Sequence, residues 1–407
     1  MKHTPLDTVG MAVNGLSIAL YFYLASILQA PAAPLPLRYL AWVLSGLGLV
    51  LVLLSVVTLM ANRRAGLIDR GIYGVVRHPM YLGAMLLFLS WVLFLPHWIV
   101  LLLSSANAAI VYGFILQGER KNITRFGDSY RRYMQRVPRV NLLAGMARTW
   151  WLYPLLLLLF FTPTYASRSY DPRQSMDLIG QVLSSPLIYA FPVLMPIAKI
   201  VTAVLIVGVL VYGNKMRRGF NVYVAILYLA LAFFQTAAVT DTYGLVVISG
   251  NTALVLVVAL AWVWEVVVER NDFGTRKRPW WRWWVAPLAI LSFLGPVDAS
   301  TMSPDFSPVR LLTNEAGLTF CMMTPVVLAV LTLFYPTVNP VVLRVSSFAG
   351  VLLGAVNMIV WFVLESWGWW MGVLHIPLVV ISIYAFVLAH LRTAGESPGT
   401  IPVLPQT

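Results

Sequence analysis

Arg77 and His78 stand directly before Pro79, and Glu119, Tyr130, Tyr133 and Arg139 follow further along the chain. A guanidinium can grip a carboxylate with two parallel hydrogen bonds, and an imidazole can give or take a proton near neutral pH. Proline suits the first position of a helix, where its missing N–H would have had no partner. The helix start behind it offers free N–H groups and partial positive charge to an acceptor such as a carboxylate. Tyr81 and Gly83 fall on the next turn, the glycine allowing close approach by a ligand or another helix. Taken alone, the same residues also read as an arginine anchor, a turn proline and a packing glycine.

The second cluster adds weight to the chemical reading. Gly127 followed by Asp128 reads as a helix stop and a new N-cap. Beyond it, Tyr130, Tyr133, Met134 and Val137 recur at helical spacing and make one apolar face, with Arg131, Arg132, Gln135 and Arg136 opposite. This basic amphipathic helix is expected to lie on the cytoplasmic membrane surface. Glu119 closes the preceding helix, and a hairpin there returns it to the leaflet of Arg77 and His78.

The elements that position these groups are membrane helices. Of the 407 residues, 60% are hydrophobic and 11% charged, against roughly 25% charged in soluble domains. The fold class expected is an all-α, polytopic integral membrane bundle of about 12 transmembrane helices with a cytoplasmic interfacial segment. The spans fall near 8–28, 39–61, 79–95, 98–116, 150–166, 187–213, 220–239, 244–267, 285–298, 317–335, 343–364 and 371–391, that at 285–298 being short enough to be re-entrant. With the N-terminus cytoplasmic, Arg38, Arg168, Arg173 and Arg310 fall outside, Lys199 falls within a span, and the other basic residues lie inside, which the positive-inside rule favours. The first apolar stretch reads as a retained helix rather than a signal peptide. The basic stretch 117–148 divides a four-helix domain, 1–148, from an eight-helix block, 149–407. The net charge of +13 is accounted for by cytoplasmic loops facing anionic lipid headgroups, not by nucleic acid. Trp280, Trp281, Trp283 and Trp284 beside Arg276, Lys277 and Arg278 read as an interfacial belt. Cys321 is the one cysteine, sits in an apolar stretch and reads as a core residue, and no metal site is expected.

The pattern Val-Arg-His-Pro-Met-Tyr-Leu-Gly, an acidic helix end, then Phe-Gly-x-x-Tyr-x-x-Tyr-x-x-x-Val-Pro-Arg, resembles the isoprenylcysteine carboxyl methyltransferase family and its bacterial lipid methyltransferase relatives. The resemblance covers roughly residues 70–140. It implies a cytoplasm-facing pocket for S-adenosylmethionine and a lipid or lipidated substrate entering sideways from the bilayer. Arg77, His78, Pro79, Tyr81 and Gly83 would line the cofactor pocket, and Glu119, Tyr130, Tyr133 and Arg139 would close it. Arg77, Glu119 and Arg139 are the candidate catalytic residues. Where the family carries two consecutive glutamates this chain has Gly118 and Glu119, and Asn122 replaces the usual leucine, so the polar contacts to the cofactor are expected to differ.

Methyl transfer asks the protein to hold donor and acceptor at attack distance and to exclude water. A carboxylate or thiolate acceptor needs no base, whereas an amine does, with Glu119 or His78 as the candidate. The tyrosine rings offer electron-rich faces to a sulfonium. An alternative is an NADPH-dependent membrane reductase of the sterol reductase kind, which shares the Arg-His-Pro-x-Tyr signature. Another is a transporter or sensor, motivated by Lys199, Gln235, Asp241, Asn251, Asn357 and His375 in the eight-helix block. That block resembles no recognised family and is read as an accessory domain. The protein is expected in the plasma membrane of a bacterium, with both termini cytoplasmic.

Overall fold

In the computed structural model, residues 5–28, 33–62, 66–146, 149, 152–274, 279–298 and 301–390 are described. The chain separates into two compact units, residues 1–149 and 150–395.

The first unit begins with α1 (Pro5–Ile27), α2 (Leu35–Ala61), α3 (Pro79–Phe94) and α4 (Trp98–Phe126). Proline at the head of α3 and the Leu82 N to His78 O bond (2.9 Å) define where that helix starts. The turn between α3 and α4 is fixed by His97, whose Nδ1 accepts from Ile99 N at 3.2 Å. Helices α2 and α3 approach through Gly48 and Gly83, which face each other without side chains. On the other side, Tyr21 of α1 stacks on Trp91 of α3 at 5.2 Å and meets Ser104 of α4 at 2.9 Å. Helix α4 has 29 residues, whereas about 20 suffice to cross the apolar core. Glu119 lies beyond the first 20 residues of this helix.

Gly127, at φ +54°, ends α4 and lets the chain reverse into α5 (Asp128–Arg136). Asp128 is the first residue of α5 rather than a side-chain cap. The apolar face expected from the sequence is present: Tyr130, Tyr133 and Val137 are buried. It packs on Leu67, Ile123 and Phe126, however, so the protein covers the face that was expected to rest on lipid. The short α6 (Leu142–Met146) follows, with Gly145 pressed against the Val75 carbonyl.

The second unit contains α7 (Leu152–Phe160), β1 (Tyr165–Ala166), α8 (Ser175–Ser184), α9 (Leu194–Tyr212), α10 (Arg217–Ala230), β2 (Ala237–Thr240), β3 (Gly244–Val247) and α11 (Ser249–Val268). It continues with α12 (Val285–Leu294), β4 (Val297–Asp298), β5 (Ser303–Pro304), α13 (Pro308–Thr313), α14 (Phe320–Phe334), α15 (Pro340–Ile359) and α16 (Trp369–His390). Helix α14 is buried along almost its whole length, and α12, α15 and α16 pack around it. Three strands in the order β1-β3-β2, all antiparallel, make a small sheet with α8 against it.

Among the described residues, six helices are long and apolar enough to cross a membrane, or seven if the pair Pro308–Leu318 and Phe320–Phe334, bent by 87°, counts as one. This is fewer than the twelve expected, and the differences have local causes. The expected span at 150–166 is a nine-residue helix followed by Thr162-Pro163 and a strand. That at 285–298 stops after ten residues, where Gly295 adopts φ +53°. The ends expected at 239 and 244 are a β-hairpin turned by Asp241–Tyr243 and Gly244. Conversely, the 42-residue apolar stretch Leu194–Gln235 folds back on itself. Tyr223 Oη lies 2.5 Å from Thr202 Oγ1, positions that a continuous helix would separate by roughly 30 Å. The reversal sits at Gly213, φ +56°.

Candidate functional site

The segment before α3 and the segment after α5 are laced together by backbone. Arg77 N donates to Pro138 O at 2.9 Å, and His78 N donates to Arg139 O at 3.3 Å. This pairing sets the Arg139 side chain beside the Arg77 and His78 side chains, with the end of α4 behind them. Glu119 supplies the charge that all three share. Its Oε1 lies 2.7 Å from Arg77 Nη1 and 3.3 Å from His78 Nε2. Arg139 grips the same carboxylate side-on, Nε to Oε1 at 3.1 Å and Nη2 to Oε2 at 2.7 Å. Arg139 Nη1 also donates to Tyr112 Oη at 3.0 Å.

Glu119 and Arg77 are nearly inaccessible, so the Arg77 charge is carried in a place that resists it. Burial lowers the Arg77 pKa, and the Glu119 carboxylate works against that shift. Hydrogen bonding to Glu119 raises the Arg139 pKa. Arg77 Nε and Nη1 are buried without a well-formed hydrogen bond, although Nη1 is in ion-pair contact with Glu119. The buried guanidinium is thus left with its Nε–H to offer.

Arg77 belongs to the lining of a pocket of about 590 Å³, a size suited to a small-molecule ligand. Arg77, His78, Met80 and Tyr81 form its wall at the head of α3. Gln117, Gly118, Lys121 and Asn122 face it from α4, Tyr130 and Tyr133 from α5, and Tyr73 from the short helical turn Gly71–Gly74. The Tyr133 hydroxyl donates to Tyr73 O at 2.6 Å and ties α5 to that turn. Burial raises the pKa of Tyr73, Tyr130 and Tyr133, so these hydroxyls stay protonated at neutral pH. For Tyr130, hydrogen bonds to Asn122 and Arg77 partly offset that effect. Leu59, Met80 and Phe114 supply an apolar side.

Of the residues expected from sequence to line the pocket, Arg77, His78, Tyr81, Tyr130 and Tyr133 do so. Pro79 is buried at the start of α3, and Gly83 faces α2 rather than the pocket. Glu119 and Arg139 stand behind the wall, holding Arg77 and His78 from outside the lining. Sequence reasoning did not reach Tyr73, Phe114, Gln117, Lys121 or Arg125. The spacing of 114, 117, 118, 121, 122 and 125 along one helix face was the available signal on α4. Tyr73 carried none, because it lies in an irregular connection.

The head of α3, the end of α4 and the groove between them form one continuous piece of sequence. Residues 38–126 match the family model for phospholipid methyltransferases (PEMT). The matched segment contains most of α2, all of α3 and all of α4, and with them Arg77, His78, Tyr81, Gly118 and Glu119. Tyr130, Tyr133 and Arg139 lie beyond its end. The family comprises membrane methyltransferases acting on lipids, and the apolar helices here fit an integral membrane protein. No curated protein and no solved structure matches the chain.

Lys199, Gln235, Asn357 and His375 of the second unit are engaged in its fold. Lys199 Nζ donates to Leu311 O at 2.6 Å, Asn314 Oδ1 at 2.5 Å and Leu294 O at 3.1 Å, so it ties the ends of three segments together. Gln235 Oε1 accepts from Phe320 N, Asn357 Nδ2 donates to Leu353 O, and His375 Nδ1 meets Met371 O at 2.7 Å. Asp241 lies in the turn of the hairpin. Of the expected belt, Trp280 to Trp284 form an exposed helical turn, while Arg276, Lys277 and Arg278 lie outside the described residues.

Proposed function

We propose that the first unit is an S-adenosylmethionine-dependent methyltransferase whose pocket opens at the cytoplasmic face of the plasma membrane, with both termini on that side. The observation that carries this reading is the buried Arg77, with its Nε–H unmatched, at the head of α3 and inside the segment that matches the family. The Arg77 Nε–H and the Met80 N–H, which precedes the first bond of α3, suit the carboxylate of an amino-acid moiety. The pocket volume suits a ligand of that size, and the tyrosine faces suit a sulfonium. When bound, S-adenosylmethionine supplies an electrophilic methyl group.

The residues of the chain then have distinct tasks. Arg77, His78 and Tyr81 orient the donor, and Tyr130 and Tyr133 wall it from water. Glu119 and Arg139 are positioning residues, because the carboxylate fixes both Arg77 and His78. The acceptor is a lipid, which reaches the pocket past Leu59, Met80 and Phe114. A carboxylate acceptor, as in prenylated substrates, enters as its own nucleophile. A phospholipid amine must first lose a proton, and His78 is the pocket residue that can accept one. The second unit is read as an accessory membrane domain.

The test is incubation of the purified protein with labelled S-adenosylmethionine and membrane lipid extract, followed by mass analysis of whatever gains a methyl. Labelled lipid, lost in Arg77→Ala, is the expected result. Transfer to no lipid or lipidated peptide, or unchanged cofactor affinity in both Arg77→Ala and Glu119→Ala, would overturn the reading.

A further inference from the structure

Arg282 lies in the helical turn Trp280–Trp284 of the second unit and is only 8% exposed. Its Nη1 donates to Thr332 O at 3.4 Å and also to Tyr335 O, so it caps the end of α14. The guanidinium is sandwiched by rings, 5.1 Å from the centre of Trp281 and 5.4 Å from that of Tyr335. Two carbonyls do not exhaust it. Arg282 Nε is buried with no hydrogen-bond partner, and among the described residues no carboxylate forms an ion pair with it. Tyr384 of α16 lies within its electrostatic reach; its buried hydroxyl meets the Trp284 side chain, and because an indole N–H only donates, the phenol keeps its own O–H to give. The Tyr384 ring is held edge-on by Trp284 at 4.9 Å.

Two buried donors still to be given, Arg282 Nε–H and the Tyr384 O–H, one of them on a cation, call for an acceptor that carries negative charge. An unpaired buried guanidinium is costly, and an oxyanion removes that cost with hydrogen bonds as well as charge. The surroundings narrow the class. Trp280 is 85% exposed and Trp281, Trp283 and Trp284 are also open, the pattern of side chains that sit at headgroup depth in a bilayer. Arg276, Lys277 and Arg278 immediately precede this turn in the sequence. We propose that Arg282 and Tyr384, framed by the tryptophans of Trp280–Trp284, bind the phosphate of an anionic lipid headgroup, at a site separate from the methyl-transfer pocket.

The test uses the full-length protein, in detergent with phosphatidylglycerol added, read by native mass spectrometry for retained lipid. Phosphatidylcholine and inorganic phosphate serve as separate probes. Wild type is expected to retain phosphatidylglycerol in preference to phosphatidylcholine, with affinity reduced several-fold in Tyr384→Phe and by about tenfold or more in Arg282→Met. Tyr384→Phe keeps the ring against Trp284 and leaves the α14 cap alone, so it separates binding from folding. Unchanged lipid retention in Tyr384→Phe, with Arg282→Met altering only the melting temperature, would reduce Arg282 to a helix cap and overturn the proposal. Protection of the melting transition by inorganic phosphate equal to that by phosphatidylglycerol would overturn the assignment to a lipid.

Discussion

Gly48 and Gly83 face each other so closely that a methyl group on Gly83 would meet Gly48 O at 2.5 Å, and one on Gly48 would meet Gly83 O at 2.7 Å. Both obstacles are backbone, so neither can swing aside. Gly83→Val should therefore push α3 away from α2, costing about 1–3 kcal/mol of stability, and shift the head of α3 that forms the pocket wall. The measurement is thermal unfolding of the purified protein together with cofactor affinity. A Gly83→Val protein that melts like wild type would show that the two helices separate without cost.

Glu119 is the shared partner of Arg77, His78 and Arg139. Replacing it by Gln keeps the shape and removes the charge, leaving two guanidiniums beside a neutral amide. A loss of about 3–5 kcal/mol is expected, as for a broken buried ion pair, with weakened donor binding. Glu119→Asp should recover part of the cofactor affinity in calorimetric titration. Equal affinity in wild type and Glu119→Gln would mean that Arg77 is positioned by its backbone pairing alone.

Tyr133→Phe deletes the bond to Tyr73 O and leaves that carbonyl to water or to nothing. About 1 kcal/mol of stability should be lost. Hydrogen exchange provides the local readout: amides of the Gly71–Gly74 turn should exchange faster, while those in α2 should not.

The tyrosines also give the first unit an alkaline limit. Tyr130 and Tyr133 have folded pKa values raised by burial above the usual value of 10.0. The neutral phenols are favoured in the folded state, so their contribution is complete below about pH 10 and declines as pH rises beyond it. Melting temperature should hold up to that point and then fall, less steeply in Tyr133→Phe. Identical alkaline slopes for the two proteins would assign the decline to other groups.

Gly118 lines the pocket, and a side chain added there would meet nothing within 4 Å. Gly118→Glu should consequently fold normally and place an acid in a lining whose charged groups are Arg77, Lys121 and Arg125. A cofactor affinity changed by about tenfold, with an unaltered melting temperature, is the expected outcome in equilibrium binding. An unchanged affinity would show that the position does not reach the ligand.

Much of this site was legible because its logic is helical. The hairpin of α3 and α4 brings Glu119 back to Arg77, and helical spacing picks out the Tyr130, Tyr133 and Val137 face. What covers that face was not legible, since Leu67 and Phe126 give the same apolar pattern as a lipid surface. Nor was Tyr73, which lies in a short turn tied to α5 through the Tyr133 hydroxyl rather than in any periodic element. In the second unit, apolarity marks burial without saying whether lipid or protein provides it. The buried α14 therefore reads as a whole membrane span at 317–335, and the hairpin at 237–247 as the ends of two.

One carboxylate serves two guanidiniums behind the pocket, so Arg77, Arg139 and Glu119 together keep one uncompensated positive charge. Lys121 and Arg125 in the lining carry the same sign. The consequence is kinetic: a ligand with a leading carboxylate feels the site before it touches it. Its rate of arrival should fall as ionic strength rises, while departure, governed by the contacts once made, should change far less.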